Sequence, residues 1–335
     1  MGIKLLVTGG CGFIGHHFCE HIIKNTDWDL IVLDKLTYAS EGFDRLRDIS
    51  VFDNKRVKIL TCDFAKPISE GVTQEIGQVD YIVHMGAETH VDRSLEDPMP
   101  FAMSNVMGTT RLLQWIRATQ KNLKKYIQFS TDEVYGPAPE GVFYKEWDLM
   151  QPSNPYAASK GGADLMAISF AFAYKMPIMI TRTMNVIGER QHPEKFLPKT
   201  LRAIEKGEKV ILHGQPDKLS SRCWIHARNV AAAILFLINN GETLEKGKKQ
   251  GMYHIVGEER NVKEIADIIS QVLNKRPLSN EEITFVDFHS AREGHDFRYA
   301  LDGARLKEKG FKMPVSLEAS LKKTIEWSLA NRRWL

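Results

Sequence analysis

Ile3 to Thr8 is a short apolar strand that runs straight into Gly9-Gly10-Cys11-Gly12-Phe13-Ile14-Gly15 and then a helix to about Lys24. Few folds place glycine at 9, 12 and 15 in that setting. The first permits a tight turn, the second lets the backbone approach a diphosphate, and the third lets helix and strand pack closely. The helix N-terminus adds free N–H groups and the positive end of its dipole. A second strand, Leu30 to Leu33, ends in Asp34, 19 residues beyond Gly15. An acid there accepts a ribose 2′-hydroxyl and repels a 2′-phosphate, so NAD is favoured over NADP; only the adjacent Lys35 argues the other way.

Strands and helices then alternate. Val57–Thr61 ends at Cys62-Asp63-Phe64, and Val79–His84 runs into Met85-Gly86-Ala87-Glu88-Thr89-His90-Val91-Asp92-Arg93-Ser94. Asp63 is read either as a partner of the adenine amine or as a cap before Pro67. A helix over about 98–120 precedes the strand Lys125–Phe129, a helix reaches about Tyr174, and Ile178–Arg182 is a sixth strand. The alternation stops near residue 183. The fold expected is α/β, a doubly wound parallel-sheet Rossmann domain with a smaller mixed α/β substrate domain. Residues 1–182 plus about 223–256 are assigned to the NAD-binding part, and 183–222 plus about 257–335 to the substrate-binding part. The apolar helix Ala227–Ile238 is read as returning to the first sheet.

A formal charge of +3 over 335 residues is too small for a nucleic-acid or membrane-surface footprint. The apolar run Val230–Ile238 falls far short of a bilayer span. Cys11, Cys19, Cys62 and Cys223 show no metal-ligand spacing, so no metal is expected and the thiols are read as reduced, in a cytoplasmic protein.

Two stretches carry the chemistry. Ser130-Thr131-Asp132-Glu133-Val134-Tyr135-Gly136 puts adjacent carboxylates at a strand's exit, where charge must be solvated, paired or used. Turned into one dry cleft, such a pair divides into an acid and a base. Asn154-Pro155-Tyr156-Ala157-Ala158-Ser159-Lys160 opens a helix on which Tyr156 and Lys160 share a face. An ammonium beside the phenol favours its phenolate and makes it a usable base.

Together these features resemble the extended short-chain dehydrogenase/reductase family, and within it the NDP-glucose 4,6-dehydratases. The likeness rests on Thr131-Asp132-Glu133, Asp34-Lys35-Leu36-Thr37-Tyr38-Ala39, His90-Val91-Asp92-Arg93-Ser94, Gln191-His192-Pro193-Glu194-Lys195, and Arg292-Glu293-Gly294-His295-Asp296-Phe297-Arg298-Tyr299. It spans residues 3 to about 302. The resemblance implies NAD held by Gly9, Gly12, Phe13, Ile14, Gly15, Asp34, Lys35, Thr37, Asp63, Phe64, Ala87, Tyr156 and Lys160. It implies 4,6-dehydration of a nucleotide-diphosphate hexose, dTDP-glucose first and UDP-glucose next. In that reaction Tyr156 with Lys160 acts at C4, Glu133 is the base at C5, Asp132 is the acid at the C6 hydroxyl, and Thr131 hydrogen-bonds the C4 oxygen.

Arg222 and Arg292 are the candidates for the diphosphate, because a guanidinium matches two phosphate oxygens at once. The resemblance adds His90, Arg93, Asn185, Glu194, Lys195, His295 and Tyr299 as substrate contacts, and a homodimer formed through the helices at about 98–120 and 155–174. The chain departs from the family pattern at Cys223 and the following Ile225-His226-Ala227-Arg228-Asn229. A second departure is Gly257-Glu258-Glu259-Arg260-Asn261, where a glycine-rich nucleotide loop is implied. The base is therefore left open. An NDP-sugar 4-epimerase or decarboxylase is the nearest rival, but it needs no acid at C6. A non-catalytic NAD-binding protein would not need the acids or the tyrosine–lysine pair.

Overall fold

The computed structural model describes residues 2–287 and 296–335. Its strands, in chain order, are β1 (Lys4–Thr8), β2 (Asp29–Asp34), β3 (Val57–Thr61), β4 (Tyr81–His84), β5 (Lys125–Thr131), β6 (Ile178–Thr183), β7 (Asn185–Ile187), β8 (Val210–Gln215), β9 (Lys218–Leu219), β10 (Ser221–His226), β11 (Met252–Ile255), β12 (Glu258–Asn261) and β13 (Ile283–Val286). The longer helices are α1 (Phe13–Asn25), α2 (Gly108–Thr119), α3 (Pro155–Tyr174), α4 (Phe196–Glu205), α5 (Ala227–Asn240), α6 (Val262–Asn274) and α7 (Leu317–Ala330).

Seven strands form one sheet in the order β11-β6-β5-β4-β1-β2-β3, every pair parallel. Alternation along β1 sends Leu5 and Val7 to one face and Leu6 to the other. The first face packs on Phe18 and Ile22 of α1 and on Val230 and Ile234 of α5. The apolar run of α5 thus does return to the large sheet. Leu112 and Ile116 of α2, with Ala167 and Phe170 of α3, cover the second face.

The strand order reverses between β1 and β4, so the loops that follow these strands part and leave a crevice. Gly9, at φ +72°, sits at its floor, where a Cβ would lie 2.6 Å from the Gly86 nitrogen. Two short sheets, β12-β10-β7 and β13-β8-β9, stand beyond the large one. They surround a third core that includes Leu201, Leu212, Trp224, Ile265 and Ile325.

Three features differ from the sequence expectation. The helix expected over 98–120 is a turn at Met99–Phe101, a π-helical stretch at Ala102–Met107, and then α2. Gly162 of α3 lies against the widened stretch, where a Cβ would come 2.9 Å from Val106. Strands β8 and β9 follow no alternating run long enough to announce them. In place of a glycine-rich loop, Glu258–Asn261 pairs antiparallel with β10.

The polar ends of β5 and β6 are tied from inside the core. Arg182 donates to Asp164 Oδ2 of α3 (2.9 Å), to the Glu146 carbonyl (2.9 Å) and to the Tyr135 hydroxyl. Both ionic side chains are essentially inaccessible to solvent. Removing one partner of such a pair leaves an uncompensated buried charge, so Asp164→Ala should lower the unfolding free energy by about 3–5 kcal/mol. A fall in the denaturant midpoint checks this.

Candidate active site

Thr131 ends β5 in extended backbone and starts the turn Asp132–Tyr135. Its hydroxyl donates to Asp132 Oδ1 (3.1 Å) and accepts the Glu133 backbone N–H (3.3 Å). Gly136 closes the turn at φ +75°, where a Cβ would lie 2.2 Å from the Gln151 carbonyl. This tight exit turns both adjacent carboxyls into one cleft, together with Thr131, Tyr156 and Lys160. The cleft encloses about 370 Å3.

The two acids have different surroundings. Burial, followed by the charge of Glu133, pushes the Asp132 carboxyl up to about 7. Burial also raises Glu133, but the Asn154 amide (Nδ2 to Oε2, 3.3 Å) and the Arg222 charge oppose that rise. Asp132 is therefore suited to hold a proton near neutrality and Glu133 to give one up.

Asn154 caps α3 as its Asn-Pro sequence suggests, with Oδ1 accepting the Ala157 N–H (2.8 Å). Its second contact, to Glu133, joins the helix that carries Tyr156 to the acidic turn. Sequence spacing carries no sign of that contact.

Tyr156 is buried, with its ring edge-on to Phe101. Burial and the Glu133 charge hold its phenol well above the usual range, opposed by a hydrogen bond with Thr131. Lys160 does share the cleft, but its ammonium donates to the Phe129 carbonyl (2.7 Å). Burial pushes it down to about 8, against the charge of Asp164 one turn along. Burial thus moves the phenol upward, whereas the Tyr–Lys spacing by itself suggests a downward shift.

The other half of the cleft suits a dinucleotide. Gly12 starts α1 without a side-chain cap, and Gly9, Gly12, Phe13, Ile14 and Gly15 line the wall. A Cβ at Gly15 would stand 2.1 Å from the Gly9 carbonyl, so the cradle requires glycine there. Asp34 accepts N–H groups of Cys11 and Leu36 (2.9 Å each), which fixes its carboxylate at the end of β2. Lys35 pairs with Glu88 (2.9 Å), so its charge is already matched within the protein.

Thr37, Phe64 and Ala87 also line the cleft. Asp63 does not; it accepts the Ala65 N–H (2.9 Å) in its own turn, while the next helix is capped by Ser69.

On the substrate side, Asn185, Glu194 and Lys195 line the cleft. Glu194 lies between His90 (3.5 Å), His192 (3.6 Å) and Lys195 (3.6 Å). His90 caps the short helix Val91–Glu96, and burial lowers its ring below the ordinary imidazole range. Arg93 stacks over the Tyr38 ring at 3.7 Å.

Arg222 is engaged within the protein. Its guanidinium donates to the carbonyls of Ser221, Phe297 and Asp296 (2.7, 2.7 and 2.5 Å) and lies over the Tyr299 ring. Neither Arg222 nor Tyr299 lines the cleft, although the Arg222 charge acts on both site carboxyls. Arg292 and His295 lie outside the described residues. Arg45 and Trp224 line the cleft without having been singled out from the sequence, and Tyr38 and Gln191 line it although only quoted within motifs.

A family model described as GDP-mannose 4,6 dehydratase matches residues 6–324. The dTDP-glucose 4,6-dehydratase of Escherichia coli is 33% identical, over 99% of this chain and 94% of its own length. The low-salt glycan biosynthesis protein of Haloferax volcanii is 35% identical, over 98% of this chain and 99% of its own. Among solved structures, DesIV, a dTDP-glucose 4,6-dehydratase from Streptomyces venezuelae with NAD bound, superposes with a TM-score of 0.85 at 33% identity. That match covers 99% of this chain and 98% of DesIV.

The Asn154–Glu133 contact has a measurable consequence. Serine also caps helices, so Asn154→Ser keeps the start of α3 but removes the amide that favours the Glu133 carboxylate. The Glu133 pKa should rise and the acid limb of the kcat–pH profile move to higher pH, with roughly tenfold less activity on the acid side. Asn154→Asp, which sets a second carboxylate there, should move the limb further in the same direction.

Proposed function

This chain belongs to the GDP-mannose 4,6-dehydratase family, and we propose that it binds NAD and dehydrates a nucleotide-diphosphate hexose, dTDP-glucose before UDP-glucose, to the 4-keto-6-deoxy product. The observation that carries the reading is the adjacent pair of Asp132, buried, and Glu133, partly buried, turned into one cleft with Tyr156 and Lys160. A 4-epimerase or decarboxylase on this scaffold has no use for an acid at C6. The activity named for the E. coli and S. venezuelae relatives supports the preference for dTDP-glucose.

The glycine loop and the N-terminus of α1 would hold the NAD diphosphate, and Asp34 the adenosine ribose. When bound, NAD supplies the hydride acceptor at C4, the hydride donor at C6, and a positive charge beside the phenol that favours its ionisation. Tyr156 takes the proton of the C4 hydroxyl, with Thr131 hydrogen-bonded to the same oxygen. Glu133 removes the C5 proton, made acidic by the adjacent ketone. Asp132 protonates the C6 hydroxyl, which leaves as water. Glu133 then returns its proton to C5. The proton left on Tyr156 replaces, by exchange, the one Asp132 gave up, so the protein ends as it began and the sugar has lost one water.

The seven-stranded sheet serves the cofactor and the two short sheets the nucleotide sugar. The partner is a second copy of the chain. Met99, Met103 and Met107 recur every four residues and are 62, 44 and 43% exposed. Leu165 of the neighbouring α3 is 55% exposed. An apolar face of that kind on two adjacent helices is suited to pairing with its own copy. No helix among the described residues is long and apolar enough to cross a membrane, and the four cysteines are unpaired, as suits a cytoplasmic enzyme.

Incubation with dTDP-glucose, UDP-glucose, GDP-mannose, CDP-glucose and UDP-GlcNAc in turn should give a base-sensitive 4-keto product, most rapidly with dTDP-glucose. Glu133→Gln should lower kcat by roughly 10²–10⁴-fold while reduced-nicotinamide absorbance still appears on substrate addition. Normal turnover by that variant would remove Glu133 as the base. For the dimer, Met103→Asp combined with Leu165→Asp should halve the mass seen by light scattering.

A further inference from the structure

Arg45 lies in the short helix Asp44–Asp48 that follows β2 and is fully buried, yet it borders the cleft. Its Nε donates to the Arg190 carbonyl (3.0 Å) and its Nη1 to the Ala39 carbonyl (2.6 Å). The guanidinium carbon lies 5.4 Å from the centre of the Trp334 ring. Nη2 is buried and has no partner. Among the described residues no carboxylate lies within ion-pair distance of Arg45; the nearby Asp48 is shared by Arg190, Arg333 and Trp334.

A buried cation held by two carbonyls and a ring, with one donor unused, feels the charges of Glu41 and Asp34 but has no carboxylate in contact among the described residues. Such a group is expensive to keep unless an anion reaches it. Burial pushes the guanidinium down to about 10 in spite of those charges. The cleft that Arg45 borders is where a contacting anion can reach it. A dinucleotide brings a diphosphate there, and guanidinium–phosphate hydrogen bonds are among the stronger ones available. Lys35 does not compete for this role, because Glu88 neutralises it. Asp34, in the same cleft, disfavours a 2′-phosphate, which leaves the diphosphate as the anion that fits.

We infer that Arg45 is a cofactor ligand that binds a diphosphate oxygen of the dinucleotide through its free Nη2, adding a cation to a site otherwise built from backbone N–H groups. This rests on the reading of the cleft as an NAD site. The glycine loop alone does not require an arginine here. Arg45 is held in place before the cofactor arrives by loop residue Ala39 and by Arg190, which follows β7, so the guanidinium is oriented in advance.

Calorimetric titration of the wild-type protein, Arg45→Gln and Arg45→Lys with NADH, NADPH, ADP-ribose and adenosine tests the assignment. Arg45→Gln should bind NADH and ADP-ribose roughly ten- to hundredfold more weakly and adenosine unchanged. Arg45→Lys, which keeps the charge but not the fork of donors, should fall between. Unchanged NADH affinity in Arg45→Gln would overturn the assignment. So would an equal loss for adenosine, which marks Arg45 as merely shaping the loop, or a loss confined to NADPH, which marks a 2′-phosphate contact. If circular dichroism shows Arg45→Gln unfolded, Arg45→Lys carries the test by the same comparison, and NADH affinity equal to wild type overturns it. Wild-type protein that binds no NADH would defeat the cofactor reading itself, and the inference with it.

Discussion

The hydroxyl of Thr131 meets three groups: it donates to Asp132, accepts the Glu133 backbone N–H, and shares a hydrogen bond with the Tyr156 phenol. That side chain sits at the end of β5, a strand buried along its whole length. Charge so near a core is tolerated only when its hydrogen-bonding capacity is met. The tight turn at Asp132–Tyr135, the glycine at 136 and the cap of α3 at Asn154 are the means of meeting it. Each also aims a side chain. The requirement for satisfied polar groups and the requirement for a reactive site are fulfilled by the same bonds.

The same rule explains why the strand ends around the cleft stay in register. Arg182 at the end of β6 joins Asp164 of α3 to Tyr135 of the acidic turn, and the Tyr135 hydroxyl also meets His254 of β11 (2.8 Å). Nearer the small sheets, Glu189 accepts from Arg228 and lies 3.1 Å from His226, and its carboxyl is held well below the ordinary range despite burial. Each network joins neighbouring elements behind the cleft, where a shift of an ångström would strand a buried charge, so the cleft's side chains rest on parts that resist movement.

Much of this was legible in the amino-acid order because it depends on local rules. Glycine at 9 and 15 answers close backbone approach, and Asp34 follows from where β2 ends. The Tyr156–Lys160 spacing follows from the pitch of α3. What was not legible depends on partners far away in the chain. Arg222 was read by residue type, and its bonds to three carbonyls, two of them some 75 residues on, carry no sign in the sequence. Asn154 was readable as a cap but not as a partner of Glu133. Lys160 was readable as a neighbour of Tyr156, yet its ammonium donates to the Phe129 carbonyl. The π-helical stretch at Ala102–Met107 is likewise set by packing on α3 and not by its own residues.

The division of labour between Asp132 and Glu133 then follows from asymmetry and not from residue type. Both are carboxyls, both are raised by burial, and each would raise the other were the two alike. The Asn154 amide favours the ionised form of Glu133, while burial and then the repulsion of Glu133 bring Asp132 to about 7. Near neutral pH a large part of the Asp132 population still holds its proton, and Glu133 is the one better able to do without. Arg222, held by the carbonyls of Ser221, Asp296 and Phe297, favours the ionised form of both carboxyls and so does not divide them. The difference rests on the Asn154 amide at Glu133 and on the repulsion felt by Asp132.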